Sequence, residues 1–161
     1  MKLSKDIINF FEKQGGVVVA TLDSKGRIHS SVKGVVSVKG TGKIFLIDLY
    51  LYRTFCNLKK NPTISLTAVD EHLFKGYSLQ GKAKIIPLVK IKEAILEEWE
   101  KKVASRITTR VAKSVRMGKK SHKHHEAHLP VAPKYLIEVS VSNIINLSPP
   151  ATWKQKCHER D

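Results

Sequence analysis

The sequence predicts a mainly β, α+β domain: a six-stranded antiparallel barrel, closed or split, with a helical excursion before the last strand. Three observations carry this reading. Stretches of strand length, rich in apolar and β-branched residues, recur at Val17–Leu22, Arg27–Val38, Lys43–Leu49, Thr63–Val69, Gly76–Ile86 and Tyr135–Val141. Short glycine-containing turns, Asp23-Ser24-Lys25-Gly26 and Lys39-Gly40-Thr41-Gly42, join the first three into an antiparallel meander. A long helical period appears only late in the chain, from Ile91 onwards.

Taken in order, Ser4 can cap a first helix over Lys5–Lys13, with Asp6 suited to its positive end and Ile7, Ile8, Phe10 and Phe11 on its apolar flank. Gly15-Gly16 ends it. Val17–Leu22 is continuously apolar, and Gly26 supplies the positive φ that the next turn needs. Within the second strand, Gly34 marks a bulge or a close approach to the backbone. After the third strand, Tyr52–Lys60 places Phe55 and Leu58 on one face of a two-turn helix, which Asn61-Pro62 stops.

Pro87 is expected at a helix start. From there Ile91, Ile95, Trp99, Val103, Ile107, Val111 and Val115 recur every four residues. Each step of four advances the stripe by about 40° on a straight helix, so one core cannot hold it throughout. A break is therefore expected near Ser105 or Thr108-Thr109, with Gly118 ending the second piece. The sixth strand continues through Ile144, Ile145 and Leu147 to Pro149-Pro150. Residues 1–150 read as one domain with a basic helical insertion at about 88–128, and 151–161 as a C-terminal tail in which Trp153 is the one apolar anchor.

A hydrophobic content of 42% with 27% charged residues belongs to a globular chain and argues against wholesale disorder. The apolar runs near Val17 and Phe45 are too short to cross a bilayer, and the N-terminus lacks the cleavage site of a secretory signal. Cys56 and Cys157 make no disulfide framework, which favours a reducing cytoplasm. The net charge of +15 is unevenly spread. Lys101–His125 carries lysine or arginine at 101, 102, 106, 110, 113, 116, 119, 120 and 123 and no acid. That strip attracts anions, but no aromatic lies between Trp99 and Tyr135 to stack bases. It is expected to bind polyanions only non-specifically, or simply to be solvated.

Two local clusters carry possible chemistry. The start of the Tyr52–Lys60 helix gathers free backbone N–H groups, the Arg53 cation and the Thr54 hydroxyl, a combination that suits a phosphate. Read blandly, it is a solvated basic helix. Farther on, His122, His124, His125 and His128 offer imidazoles for zinc, copper, nickel or haem iron, yet Lys119, Lys120 and Lys123 among them repel a cation. No metal site is assigned from them.

In order and spacing, several segments resemble the flavin-binding split barrels typified by pyridoxamine 5′-phosphate oxidase and its general-stress-type relatives. VVVATLDSKGRIHSS (17–31) resembles that family's opening hairpin, and KIFLIDLYLYRTFCNLKKNPTISLTAVD (43–70) its strand, phosphate-site helix, Asn-Pro turn and strand. YSLQGKAKII (77–86) and YLIEVSVSNIINLSP (135–149) resemble later strands. The resemblance implies an FMN-binding split barrel with cofactor contacts at Val32, Lys33, Gly34, Val35, Val36, Ile47, Asp48, Arg53 and Thr54. It also implies a homodimer with flavin sites at the subunit interface. A deazaflavin or haem occupies the same groove in some relatives.

The chain departs from the family at three places. Neither Val32 nor Ser37 is basic, Lys33 is expected to face away from Val32, and Asp48 stands where relatives often have a small hydroxyl residue and would sit better beside a ring edge than beside a phosphate. The expectation is thus a cytoplasmic FMN flavoprotein, an oxidoreductase acting on a small-molecule substrate without specific nucleic acid or membrane partners. No side chain is assigned as catalytic, because the reacting atoms belong to the flavin. A haem or metal protein and a non-enzymatic polyanion binder are the rivals.

Overall fold

A computed structural model of the protein describes residues 1–48, 51–91, 93–116 and 133–149. The elements follow as α1 (Lys5–Lys13), β1 (Val17–Leu22), β2 (Ile28–Lys39), β3 (Lys43–Asp48), α2 (Arg53–Lys60), β4 (Thr63–Asp70), β5 (Lys75–Pro87), α3 (Glu93–Arg116) and β6 (Tyr135–Asn146). Every strand pairing is antiparallel, in the order β1-β2-β3-β6-β5-β4, with β4 returning to β1 to close a barrel. The six expected strands are all present. Gly26 and Gly42, at φ 76° and 83°, make the two meander turns in the left-handed region.

Strand alternation sends one set of side chains inward. Phe11, Val19, Leu46, Leu66, Leu79 and Ile137 fill the barrel and are fully buried. At one mouth α1 inserts Ile7, Phe10 and Phe11, the spacing of one helical face, and Phe10 meets Phe11 and Tyr77 edge-on. Ser4 caps α1 through the Ile7 amide, and Asp6 takes Lys75 and the Tyr77 hydroxyl, which fixes the helix to the start of β5. The opposite mouth is closed by α2.

A second, outer cluster lies beneath α3. Val36, Ile47 and Leu136 point outward from β2, β3 and β6 and pack with Phe45, Ile86, Ile91, Ile95 and Trp99. The expected break in this helix does not occur, because α3 runs unbroken from Glu93 to Arg116. Its Thr108 hydroxyl donates to the Ala104 carbonyl one turn back, so the hydroxyl is satisfied inside the helix instead of ending it. Within α3, Ile95 and Trp99 of the first two turns pack on this outer cluster. Pro87 does not start this helix either: it ends β5, and a short 3-10 turn at Leu88–Lys90 intervenes.

The β2–β3 register shifts between Val35 and Ser37, one residue beyond Gly34. This bulge leaves backbone groups outside the ladder, and the two helices supply partners for them. Glu12 on α1 accepts from the Val38 amide at 3.0 Å, and Lys102 on α3 donates to the Val36 carbonyl. Glu12 and Lys102 lie 3.7 Å apart, so one ion pair joins α1 to α3 across the bulge. Gly118, the four clustered histidines, Trp153 and the tail lie outside the described residues.

Candidate functional site

The mouth closed by α2 is built from polar side chains. Asn57 donates to Thr21 Oγ1 at 3.0 Å, Thr21 donates to the His29 carbonyl at 3.4 Å, and Ser31 shares a 3.0 Å hydrogen bond with Thr54. Thr21, Thr54 and Asn57 are buried. These bonds hold the first turn of α2 against β1 and β2. Asn61 and Pro62 end the helix, with the Asn61 side chain accepting from the Thr63 amide at 3.0 Å.

The first turn of α2 has no acid and no side-chain cap: Tyr52 occupies the N-cap with extended backbone and makes no capping bond. Its orphan N–H groups and the positive helix end are thus open to an anion. Arg53 is exposed on that turn and lies 6.0 Å from the Tyr52 ring centroid. Through the Ser31–Thr54 bond this turn sits beside the stretch of β2 that carries Val32 and Gly34.

Behind the turn lies a buried ion pair. Lys33 Nζ is 2.6 Å from Asp48 Oδ2, and the Tyr135 hydroxyl donates to the same oxygen at 2.6 Å. The Lys33 side chain is 11% exposed and that of Asp48 3%. Burial first, and then its hydrogen bond to Asp48, push the Tyr135 hydroxyl far above the ordinary tyrosine range, so it stays protonated. Phe55 of α2 packs edge-on against Tyr135 at 5.0 Å.

The pleat divides the nine expected cofactor residues. Val32 is 71% exposed and faces outward, whereas its neighbour Lys33 turns inward to Asp48, as its opposite facing requires. Val35 lies in the barrel core. Val36 and Ile47 lie beneath α3. Asp48 is engaged by Lys33 and Tyr135, and the Thr54 hydroxyl by Ser31. Val32, Gly34 and Arg53 therefore remain as the members of the set with surface open to a ligand. Ser37, where relatives carry a base, is fully buried with its hydroxyl unpartnered among the described residues. Tyr135 was not expected at the site; its aromatic ring at a strand start opposite Asp48 was the available signal.

The sequence family described as pyridoxamine 5′-phosphate oxidase matches residues 3–132. That match spans most of the chain. The chain belongs to this family. No curated protein is similar enough to match it. Among solved structures it is similar to HupZ of Group A Streptococcus, at 19% identity and a TM-score of 0.61 over 91% of this chain and 94% of that one. A putative pyridoxamine 5′-phosphate oxidase of Lactobacillus delbrueckii aligns at 13% identity and a TM-score of 0.58, covering 89% and 93%. HutZ, the haem storage protein of Vibrio cholerae, aligns at 20% identity and a TM-score of 0.51, covering 90% and 94%. At these identities the likeness is one of fold. Among the described residues of this family member, no helix is long and apolar enough to cross a membrane.

Proposed function

We propose that the protein binds FMN, with the phosphate at the start of α2 and the ring along the outward side of β2. The observation that carries this is the open, acid-free first turn of α2 with Arg53 on it, tied by Thr54 to the exposed part of β2. Arg53 would fork onto phosphate oxygens beside the backbone amides. Val32 and Gly34 would bear the flat apolar ring; Val36 and Ile47, on the same outward face but covered by α3, would bound it at one end. Bound there, FMN would supply hydride or electron transfer to a small substrate. The described residues supply binding and orientation, because the one carboxylate and the one phenol close by, Asp48 and Tyr135, are buried and bonded to each other.

A second copy of the chain would complete this site. Among the described residues, no helix covers the outward face of β1, β4 and the first half of β2. This face exposes Val18, Ile28, Val32 and Val69, and between them lie Ser65 and Thr67. In a chain of net charge +15, an uncharged apolar face has the composition of an interface centre. Light scattering should give twice the 18.1 kDa chain mass, and Val32→Glu should return it to one.

The phosphate assignment is tested by titrating FMN and riboflavin into wild type and Arg53→Ala. Charge-assisted hydrogen bonds contribute about 1.5–3 kcal/mol each, so the substitution should weaken FMN by about ten- to a hundred-fold. Riboflavin, which lacks the phosphate, should bind the wild type far less tightly and be indifferent to the substitution. Equal weakening of both flavins would show that Arg53 acts on the ring or the fold. A Soret band in the purified protein would select haem instead.

A further inference from the structure

On the other side of α2 from Val32 lies a cavity of about 340 Å³ that the proposed flavin site does not use. Leu51, Phe55, Ile85 and Tyr135 form an apolar floor, and Lys59 and Lys134 stand at its rim. No acid lines it. Asp48 lies behind the Tyr135 ring, but Lys33 neutralises it. Lys59 and Lys134 are in no ion pair among the described residues. Lys59 instead holds its ammonium 5.4 Å from the Phe55 ring centroid. Lys134 is placed by its backbone, whose amide donates to the Asp48 carbonyl at 3.1 Å.

We infer that this cavity is a second binding site, taking a small amphipathic anion: a flat one- or two-ring apolar body bearing a carboxylate. Its volume lies at the low end of the range for ligand pockets, about 300–1,000 Å³, which limits the guest to that size. The floor fixes what the body can be. Phe55 and Tyr135 meet edge-on at 5.0 Å, and the Tyr135 hydroxyl is held by Asp48, so the two rings form a rigid apolar wall with no polar atom left to reach a guest. The rim fixes the charge. Two unpaired ammonium groups beside an apolar floor favour an anionic head and disfavour a cationic or neutral one. The helix start with Arg53 is not needed for this site, so it and the flavin site can be filled together.

The test uses the whole labelled protein with two probes of one shape, naphthalene-2-carboxylate and naphthalene-2-carboxamide, followed by amide chemical shifts. Lys59→Gln and Lys134→Gln alter exposed side chains outside any described ion pair, so the double variant should keep the wild-type melting temperature. The carboxylate should saturably shift Phe55, Lys59, Ile85 and Lys134 and bind the wild type more tightly than the carboxamide. In the double variant its affinity should fall about three- to ten-fold, the effect of two partly exposed ion pairs, while the carboxamide is unchanged. These shifts should persist when FMN is saturating. Four results would overturn the inference: no saturable shift, equal affinity for the two probes, insensitivity to the double variant, or displacement of the carboxylate by FMN. The last would merge the cavity with the flavin site and leave the phosphate assignment at Arg53 standing.

Discussion

The two mouths of the barrel are closed by helices of nearly equal length and opposite chemistry. At one, α1 brings Ile7, Phe10 and Phe11 into the core, and its polar bonds, at Ser4, Asp6 and Glu12, are exposed or half-buried around that contact. At the other, α2 buries Thr54, Asn57 and Leu58, and three side-chain hydrogen bonds and the Lys33–Asp48 pair do the closing. Apolar burial is strong but indifferent to direction, whereas hydrogen bonds fix direction and add little net stability. The apolar mouth therefore holds the fold together. The polar mouth holds α2 in one orientation, and the proposed phosphate site needs that.

The largest test of this contrast is Phe11→Ala, which should cost about 3–5 kcal/mol by leaving a cavity in the core, read by urea unfolding. Flavin affinity of the folded fraction should not change. At the polar mouth, Asp48→Ala should cost about 3 kcal/mol because it strands Lys33 in a buried site. The triple change Lys33→Met, Asp48→Leu and Tyr135→Phe, which also removes the hydroxyl that Asp48 accepts from, should recover most of that loss; if it does not, the pair contributes stability outright and the contrast between the mouths is weaker. Thr54→Val should cost about 1 kcal/mol through its bond to Ser31. Its effect on FMN should be smaller than that of Arg53→Ala, since the hydroxyl already has a partner.

The smallest effect belongs to the tether of α1. Hydrogen bonds from Lys75 and then Tyr77 hold the Asp6 carboxyl below its ordinary 3.8, and the Asp6 hydrogen bond holds Lys75 above its ordinary 10.5. The Asp6 contribution is present above pH 3.8 and lost as pH falls through the lowered folded value. That of Lys75 is present below pH 10.5 and lost as pH rises through its raised one. Asp6→Asn should thus lower the melting temperature slightly near neutrality and converge with wild type in strong acid. A difference that persisted in acid would mean that the side chain acts through shape and not charge.

The strands were legible because their signal is local: alternation, β-branched residues and glycine turns set Val17–Leu22 and Lys43–Asp48 without reference to the rest of the chain. The place of Arg53 at a helix start was legible for the same reason, since the signals for that start are adjacent in sequence. The alternation of Val32 and Lys33 could be read, but not which part of a face a helix covers: Val32 and Val36 share the outward face of β2, and only Val36 lies under α3. Nor could the bulge between Val35 and Ser37 be read, which shifts the phase so that Val35 and Val38 both face the core. The bonds of Lys33 and of Tyr135 to Asp48 bring β6 to the adjacent strands β2 and β3; the Tyr135 ring at a strand start was a cue to a site, but nothing in the chain order named Asp48 as its partner. The continuity of α3 was missed because the stripe argument assumes that a helix must pack along its whole length, whereas its backbone hydrogen bonds are local and run on from Glu93 to Arg116.

Closure of the barrel has a consequence for how copies of this chain can meet. Each strand is hydrogen-bonded on both sides, since β1 pairs with both β2 and β4 and β6 with both β3 and β5. That double pairing covers only part of each strand: Ile28–Lys33 of β2 pair with β1 alone, and Asn143–Asn146 of β6 with β5 alone. A peptide or another copy could extend the sheet only at these short edges, and elsewhere contact is made face to face, by side chains. Such contact is self-limiting, because a matched pair of faces is used up once it forms, and repeated stacking into fibres has no template to follow. The pairing of copies proposed above, through the apolar face of β1, β2 and β4, would in this way end in a finite assembly.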